Sequence, residues 1–343
     1  MAMSGGVDSS VAAHLLRRAG FDVTGVFLCM GRAVGADHET SGCCSPADAA
    51  DARRVAETLG IELFVLDAAD AFGRIIDYFA DEYARGRTPN PCVHCNVAVK
   101  FARLLARADA LGARFVATGH YARMAGGAIR RAAEKDQSYA LFALPRAVLP
   151  RMLLPIGELS GKAEVRRIAA GCGLPVADKP DSQEICFVPE DDYAAWLRPR
   201  RPEAFRPGPI VDSSGRALGE HAGVGHFTIG QRRGLGVAAG VPMYVTRIDP
   251  AAATVTIGPR EEVLRDRLSA VGANWHADPP PVGETFAATV QIRYNHRGAA
   301  ARVRVTGSNR FEVAFDEPVA AITPGQAAVI YDGDRLLGGG WIE

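Results

Sequence analysis

At 343 residues, with 48% hydrophobic and 23% charged side chains, the chain is long for one domain and too apolar for a disordered or fibrous protein, so two or three globular domains are expected. Its 39 basic and 39 acidic residues cancel, so composition carries no nucleic-acid signal and any RNA contact has to come from a local patch. No apolar run approaches membrane-spanning length, and Met1 leads into a glycine loop without a signal-peptide pattern, which points to a cytoplasmic protein with no membrane partner.

In chain order, Ser4-Gly5-Gly6-Val7-Asp8-Ser9-Ser10 comes first, and it is an anion cradle. Gly5 and Gly6 let the backbone come close to a ligand, successive N–H groups can converge on phosphate oxygens, and the following helix adds its positive end. Asp8 is suited to hold a metal ion or to cap the first turn, and Ser9 and Ser10 offer hydroxyl donors. The Walker pattern is absent. The segment instead resembles the pyrophosphate loop of ATP pyrophosphatases, which cleave ATP to AMP and pyrophosphate and so adenylate an oxygen of their substrate.

Short apolar strands then alternate with amphipathic helices, the pattern of βαβ units on a parallel sheet. Helices are predicted over 9–19, 45–59, from about 72, and over 96–111, with strands over 23–28, 63–66 and 115–117. Ser45-Pro46-Ala47-Asp48 supplies an N-cap, a proline at the first helical position and an acidic first turn, and Gly60 closes that helix. The strand at 115–117 runs into Thr118-Gly119-His120-Tyr121, at the carboxyl end where a doubly wound sheet binds its ligands. Helical periodicity gives way from Pro199 to a proline- and glycine-rich stretch, marking a small central domain. Beyond about Arg265 the pattern is alternating strand, as in Ala301-Arg302-Val303-Arg304-Val305, with a hairpin turn at Tyr331-Asp332-Gly333-Asp334. The expected architecture is an α/β ATP-pyrophosphatase-like domain over 1–198, the central domain over 199–265, and an antiparallel β-barrel over 266–343.

Seven cysteines, Cys29, Cys43, Cys44, Cys92, Cys95, Cys172 and Cys186, are an odd count that suits thiol or metal chemistry better than a disulfide framework. Cys92-Val93-His94-Cys95 stands just before a predicted helix, where the dipole favours a thiolate. Zinc would need Cys43-Cys44 as second pair, a poor chelate; a thioredoxin-like dithiol conflicts with the nucleotide loop; sulfur transfer with a distant thiol is the third reading. Cys186, in Asp181-Ser182-Gln183-Glu184-Ile185-Cys186-Phe187, is the candidate partner, although alone it reads as a structural thiol. Only Lys100, Lys135, Lys162 and Lys179 are lysines; the remaining basic residues are arginines, which suits phosphate and base stacking but is explained at least as well by high-GC codon usage.

Taken together with Thr88-Pro89-Asn90-Pro91, Lys100-Phe101, Lys135-Asp136-Gln137-Ser138-Tyr139, Gly230-Gln231-Arg232, Arg293-Tyr294 and Pro324-Gly325-Gln326, these segments resemble the tRNA-specific 2-thiouridylase family from end to end. The resemblance implies adenylation of the 2-oxygen of a wobble uridine by ATP and its replacement by sulfur carried as a cysteine persulfide. It assigns ATP contacts to Ala2, Met3, Ser4, Gly5, Gly6, Val7, Asp8, Ser9, Met30 and Gly119, with Mg²⁺ on the phosphates. By the same resemblance Cys186 bears the persulfide, and Cys95 attacks either that persulfide or the activated base and ends in a disulfide with Cys186. Asn90, Pro91 and Cys92 then face the target base, and His120, Lys135, Asp136, Gln137, Arg293, Tyr294 and Gln326 touch the tRNA. The implied partners are tRNA and a persulfide donor, either a cysteine desulfurase or a sulfur-relay protein.

Two features depart from the family pattern. Cys92 stands where an aspartate is usual, so that Cys92, Cys95 and Cys186 offer three thiolates, as an iron–sulfur cluster with one open iron needs; this is the runner-up mechanism. The strand before the glycine loop is only Met1-Ala2-Met3, so further apolar residues are expected upstream. The rival functions are an adenylating amide ligase, which has no need of Cys95 and Cys186, and a non-enzymatic tRNA-binding or cluster-carrying protein with a vestigial ATP site.

Overall fold

Local caps set where the N-terminal helices begin. In the computed structural model, which describes residues 1–31, 45–180, 185–188 and 192–343, α1 (Val7–Arg18) starts from Gly6 directly out of the glycine loop. β1 (Gly25–Cys29) leads toward α2 (Pro46–Leu59), whose N-cap Ser45 and first-turn Asp48 form a reciprocal capping box. Gly60 ends α2 in the left-handed conformation. β2 (Leu63–Asp67), α3 (Ala69–Ala84) and α4 (Pro91–His94) follow, and α4 continues as a π-helix over Cys95–Phe101 into α5 (Ala102–Ala110). This helix begins at Pro91, not near Asn96, because proline at the first helical position needs no N–H partner and has its φ preset. Cys43 and Cys44, and Asp181 to Glu184 of the Cys186 motif, lie outside the described residues.

Two compact units emerge, Met1–Ile75 with Cys92–Asp191 and Asp334–Leu336, and Ile76–Pro91 with Asp192–Gly333 and Leu337–Glu343. In the first unit β1 pairs in parallel with β2, and β3 (Val116–Ala117) with β6 (Met152–Leu153). The Met1-Ala2-Met3 stub joins the two pairs: Ala2 bridges Val26 in parallel, and its N–H donates to the Ala117 carbonyl at 2.8 Å. Three residues therefore fill a central position, which agrees with Met3 being buried. Val7, Val11 and Ala12 of α1 pack with Phe27, Ala52, Val55, Tyr121 and Val165 in the core beneath the loop. A hairpin, β4 (Ala122–Ala125) and β5 (Ala128–Arg131), and α6 (Lys162–Gly171) complete the surroundings of the site.

The second unit contains α7 (Tyr193–Leu197) and a four-stranded sheet in the order β8-β7-β10-β9, formed by β7 (Gly208–Val211), β8 (Ala217–His221), β9 (Tyr244–Asp249) and β10 (Thr254–Gly258). It also contains β11 (Leu264–Trp275), β12 (Thr285–Gln291), β13 (Ala299–Gly307), β14 (Arg310–Ala320), β15 (Ala327–Asp332) and, from Leu337 onward, β16 (Arg335–Ile342), in the order β11-β14-β13-β12-β15-β16. Pairing of β11 with β16 closes this antiparallel sheet into the expected barrel, which leaves no exposed edge. Alternate residues Ala301, Val303 and Val305 point into its core, as the period-2 pattern requires.

Candidate functional site

The glycine loop sits at the carboxyl end of the N-terminal stub, and Met30 and Gly119 follow the carboxyl ends of β1 and β3. Gly5 has φ +74°, and a Cβ there would stand 2.2 Å from the Asp48 carbonyl oxygen, so only glycine lets the loop lie against α2. A Cβ on Gly119 would come within 2.8 Å of the Ser9 nitrogen, which places the 118–121 segment against the first turn of α1. The first-turn N–H groups of a helix have no intrahelical acceptor, and here they face the loop with the dipole's positive end. Ser9 and Ser10 both donate to the Gly6 carbonyl, at 3.0 and 2.9 Å, so their hydroxyls shape the loop instead of extending from it.

Asp8 neither caps the helix nor stands open. Its carboxylate accepts from Lys162 Nζ at 2.9 and 2.8 Å and from the buried Tyr121 hydroxyl at 2.6 Å. Lys179 Nζ reaches the Gly5 carbonyl at 3.1 Å and both Asp48 and Asp51 at 2.5 Å, tying the loop to α2. Burial pushes the Lys179 ammonium down, but its bonds to the two aspartates outweigh this and hold it above the usual lysine range. Neither Lys162 nor Lys179 stood out in the sequence beyond the scarcity of lysine.

The 118–121 and 135–139 segments, which the sequence treats as separate motifs, are bonded to each other. The Tyr121 N–H donates to Gln137 Oε1 at 2.9 Å, and the Gln137 N–H to the Tyr121 carbonyl at 2.7 Å. Asp136 accepts from the Ala132 and Ser138 N–H groups, the Ser138 hydroxyl and Arg131, so this carboxylate builds its own turn. Lys135 lies over the Tyr121 ring, its Nζ 5.6 Å from the centroid. His120 Nδ1 is 2.8 Å from the Thr118 hydroxyl.

Burial and the nearby charge of Lys100 push the His120 imidazole down to about 3, so near neutral pH it is an uncharged group and not a phosphate-pairing cation. Between an unfolded value near 6.5 and the folded value of about 3, only the unfolded chain binds this proton. The contribution to stability is full above pH ~6.5 and falls as pH drops through that window. His120→Gln is expected to flatten the acid side of an unfolding-versus-pH curve; an unchanged slope between pH ~6.5 and ~4 would contradict this.

Cys95 is buried at the start of the π-helix, a helix form that recurs at functional sites, and the adjacent Asn96 is anchored by its Nδ2 donating to the Ala140 carbonyl at 2.9 Å. Cys92 is exposed. Cys186 is half-buried in a turn over residues 185–188, next to Phe187, whose ring meets Phe72 edge-on at 5.7 Å. Among the described residues no three His, Cys, Asp or Glu side chains form a metal-holding group. As placed, Cys92, Cys95 and Cys186 therefore do not fit an iron–sulfur cluster, and no step is derived through one. Asp8 with Lys162 and Tyr121 on it is likewise no ready-made Mg²⁺ cage.

In the second unit Gln326 Nε2 donates to the Thr88 and Pro89 carbonyls at 3.0 and 3.2 Å, and the Thr88 N–H donates to the Pro324 carbonyl at 2.9 Å. Two motifs more than 230 residues apart thus hold each other, and Asn90 and Pro91 follow directly. Arg293 donates to the Ala320 carbonyl at 3.0 Å, while Tyr294 is 43% exposed.

Comparison with known proteins agrees with this organisation. The family described as the tRNA methyl transferase HUP domain matches residues 1–190, that described as the tRNA methyl transferase PRC-barrel domain matches 196–259, and that described as the aminomethyltransferase beta-barrel domain matches 265–342. Proteins named tRNA-specific 2-thiouridylase MnmA are 47% identical in Rhodopirellula baltica, 48% in Carboxydothermus hydrogenoformans and 48% in Chloroflexus aggregans, each over 100% of this chain and 95, 96 and 97% of the relative. A solved NMN synthetase from Francisella tularensis aligns with 53% of this chain and 64% of its own at 18% identity, and its TM-score of 0.33 carries no argument. With family models matched over residues 1–190, 196–259 and 265–342 and relatives matched over 95–97% of their own length, the chain belongs to the tRNA-specific 2-thiouridylase family.

Proposed function

We propose that this chain is an ATP-dependent tRNA-uridine 2-sulfurtransferase of the cytoplasm, with Cys186 as persulfide carrier and Cys95 as second catalytic thiol. What supports the reading is the occurrence, in one unit of a chain of this family, of an adenylation-type glycine loop together with both cysteines. The uridine 2-oxygen attacks the α-phosphorus of ATP and pyrophosphate leaves, which converts a poor leaving group into a good one. Cys95 thiolate attacks the Cys186 persulfide, forming the Cys95–Cys186 disulfide and expelling sulfide, which adds at C2 and displaces AMP. A thiol reductant reopens the disulfide, and a persulfide donor, desulfurase or relay protein, recharges Cys186.

The glycine loop from Ala2 to Ser9, with Met30 and Gly119, holds the nucleotide, and Mg²⁺ arrives as the counter-ion of ATP because it binds chiefly through phosphates. Asn90, Pro91 and Cys92 face the base. Tyr294 stacks on RNA and Arg293 lies beside it, while Lys135 meets the backbone and His120 acts as a neutral hydrogen-bonding group. Asp136, Gln137 and Gln326 serve the tRNA by fixing the loops that touch it. The working division of labour is 1–198 for chemistry, 199–265 as central domain and 266–343 for tRNA contact.

Purified protein given ATP, a persulfide-charged donor and unmodified tRNA is expected to release AMP and pyrophosphate only when tRNA is present. Tested for its metal content after anaerobic purification, the same protein is expected to lack stoichiometric iron and sulfide, and Cys92→Asp to keep its thiolation activity. Cluster in the wild type, lost together with product in Cys92→Ser, would instead establish the iron–sulfur route, since a hydroxyl is a poorer ligand for such a centre than a thiolate.

A further inference from the structure

We propose that Cys172 and His14 form a thiol–imidazole pair that makes Cys172 a site of mixed-disulfide formation with anionic low-molecular-weight disulfides. The inference stands apart from the sulfur-transfer reading, because it uses neither Cys95 nor Cys186.

Helix packing within the first unit brings the two residues together. Cys172 is the C-cap of α6, His14 lies in the second half of α1, and the Cys172 Sγ is 3.1 Å from the His14 Nε2. The Asp8–Lys162 pair joins the first turns of the same two helices, so α1 and α6 run side by side in one direction and the thiol pair joins their far ends. Cys172 packs against the core that holds Val11 and Val165, yet it and His14 are only half-buried, so both remain within reach of a reagent. A buried structural thiol is inert; a nucleophile with a base at hydrogen-bond distance is the arrangement that activates one.

The helix itself does not supply that activation. Cys172 sits at the negative end of α6, which works against a resting thiolate. Burial, and the charge of Arg18 one turn further along α1, hold the His14 imidazole below its usual range, so near neutral pH it is uncharged and its Nε2 can take the Sγ proton. Reactivity therefore depends on His14 accepting that proton as the sulfur attacks, and not on a preformed ion pair. Arg18 also sets the kind of partner. It shares the His14 face of α1 at (i, i+4), is exposed, and with Arg17 ends the helix in two positive charges. A disulfide bearing carboxylates is attracted there, and one bearing ammonium groups is repelled.

In the exchange, the Cys172 sulfur attacks one sulfur of the disulfide while its proton passes to His14 Nε2. An S–S bond forms to Cys172, the reagent's own S–S bond breaks, and the departing thiolate takes the proton back from the imidazolium. Cys172 is oxidised, the released half is reduced to a thiol, and no other oxidant is needed.

The test is peptide-mapping mass spectrometry of the full chain after timed exposure to glutathione disulfide, which carries carboxylates, or to cystamine, which carries ammonium groups, with a thermal melt of each variant. Cys29, also half-buried, is the internal comparison. Cys172 is expected to take up glutathione about 10-fold or more faster than Cys29, and His14→Gln to lower the Cys172 rate about 10-fold or more without moving Cys29. Arg18→Gln is expected to slow glutathione disulfide about threefold at Cys172 and to leave cystamine no slower. A wild-type Cys172 no faster than Cys29, or a folded His14→Gln whose Cys172 rate stays within about twofold of wild type, overturns the proposal. Should His14→Gln not fold, the wild-type comparison of Cys172 with Cys29 decides alone. Equal effects of Arg18→Gln on the two disulfides would overturn the anionic partner, and with it the proposal as stated.

Discussion

Cys186→Ser is expected to abolish 2-thiouridine formation while leaving ATP and tRNA binding within about twofold of wild type. The substitution exchanges sulfur for oxygen in a half-buried turn, so it removes little packing, and Phe187 still anchors the turn against Phe72. What is lost is chemistry, because an alkoxide carries no sulfane sulfur and cannot form the Cys95–Cys186 disulfide. Activity, binding and a melting curve on the same preparation separate this from misfolding. Thiouridine produced at the wild-type rate from a persulfide donor would remove Cys186 from the reaction.

Gly5→Ala is expected to eliminate useful ATP binding by a purely steric route. An L-residue at φ +74° costs roughly 1–2 kcal/mol, and the methyl group would stand 2.2 Å from the Asp48 carbonyl oxygen, a backbone atom fixed by the Ser45 capping box. Overpacking of that kind adds about 1–3 kcal/mol, so the loop must leave its place, and ATP affinity is expected to fall about 30-fold or more. Gly20→Ala is the control: Gly20 has φ +85° but nothing within 4 Å of its Cβ, so it isolates the dihedral cost and should leave ATP binding unchanged. Equal ATP affinity in both variants would mean that the loop does not need Gly5 as placed.

Features with local codes were legible in the sequence. Ser45, Pro46 and Asp48 announce α2 because caps act over three residues, and the alternation of Ala301, Val303 and Val305 announces a barrel strand because its period is set by the pleat. The π-helix over Cys95–Phe101 was not legible, since its bonding register has no side-chain signature in the sequence. Nor was the work of Gln326, whose partners are the Thr88 and Pro89 carbonyls far along the chain. Nor were the bonds of Asp136 to Ser138 and of Gln137 to Tyr121, which brace the 135–139 turn and tie it to the 118–121 segment. Lys162 and Lys179 left one trace, the scarcity of lysine, and its meaning depends on where the fold gathers them.

The central claim is that this chain installs sulfur at the 2-position of wobble uridine. Nucleoside mass spectrometry of bulk tRNA from cells lacking the gene, with and without a plasmid copy, tests it most directly. The account predicts that 2-thiouridine derivatives disappear in the deletion, return with the wild-type copy and stay absent with Cys186→Ser; undiminished 2-thiouridine in the deletion strain would contradict it.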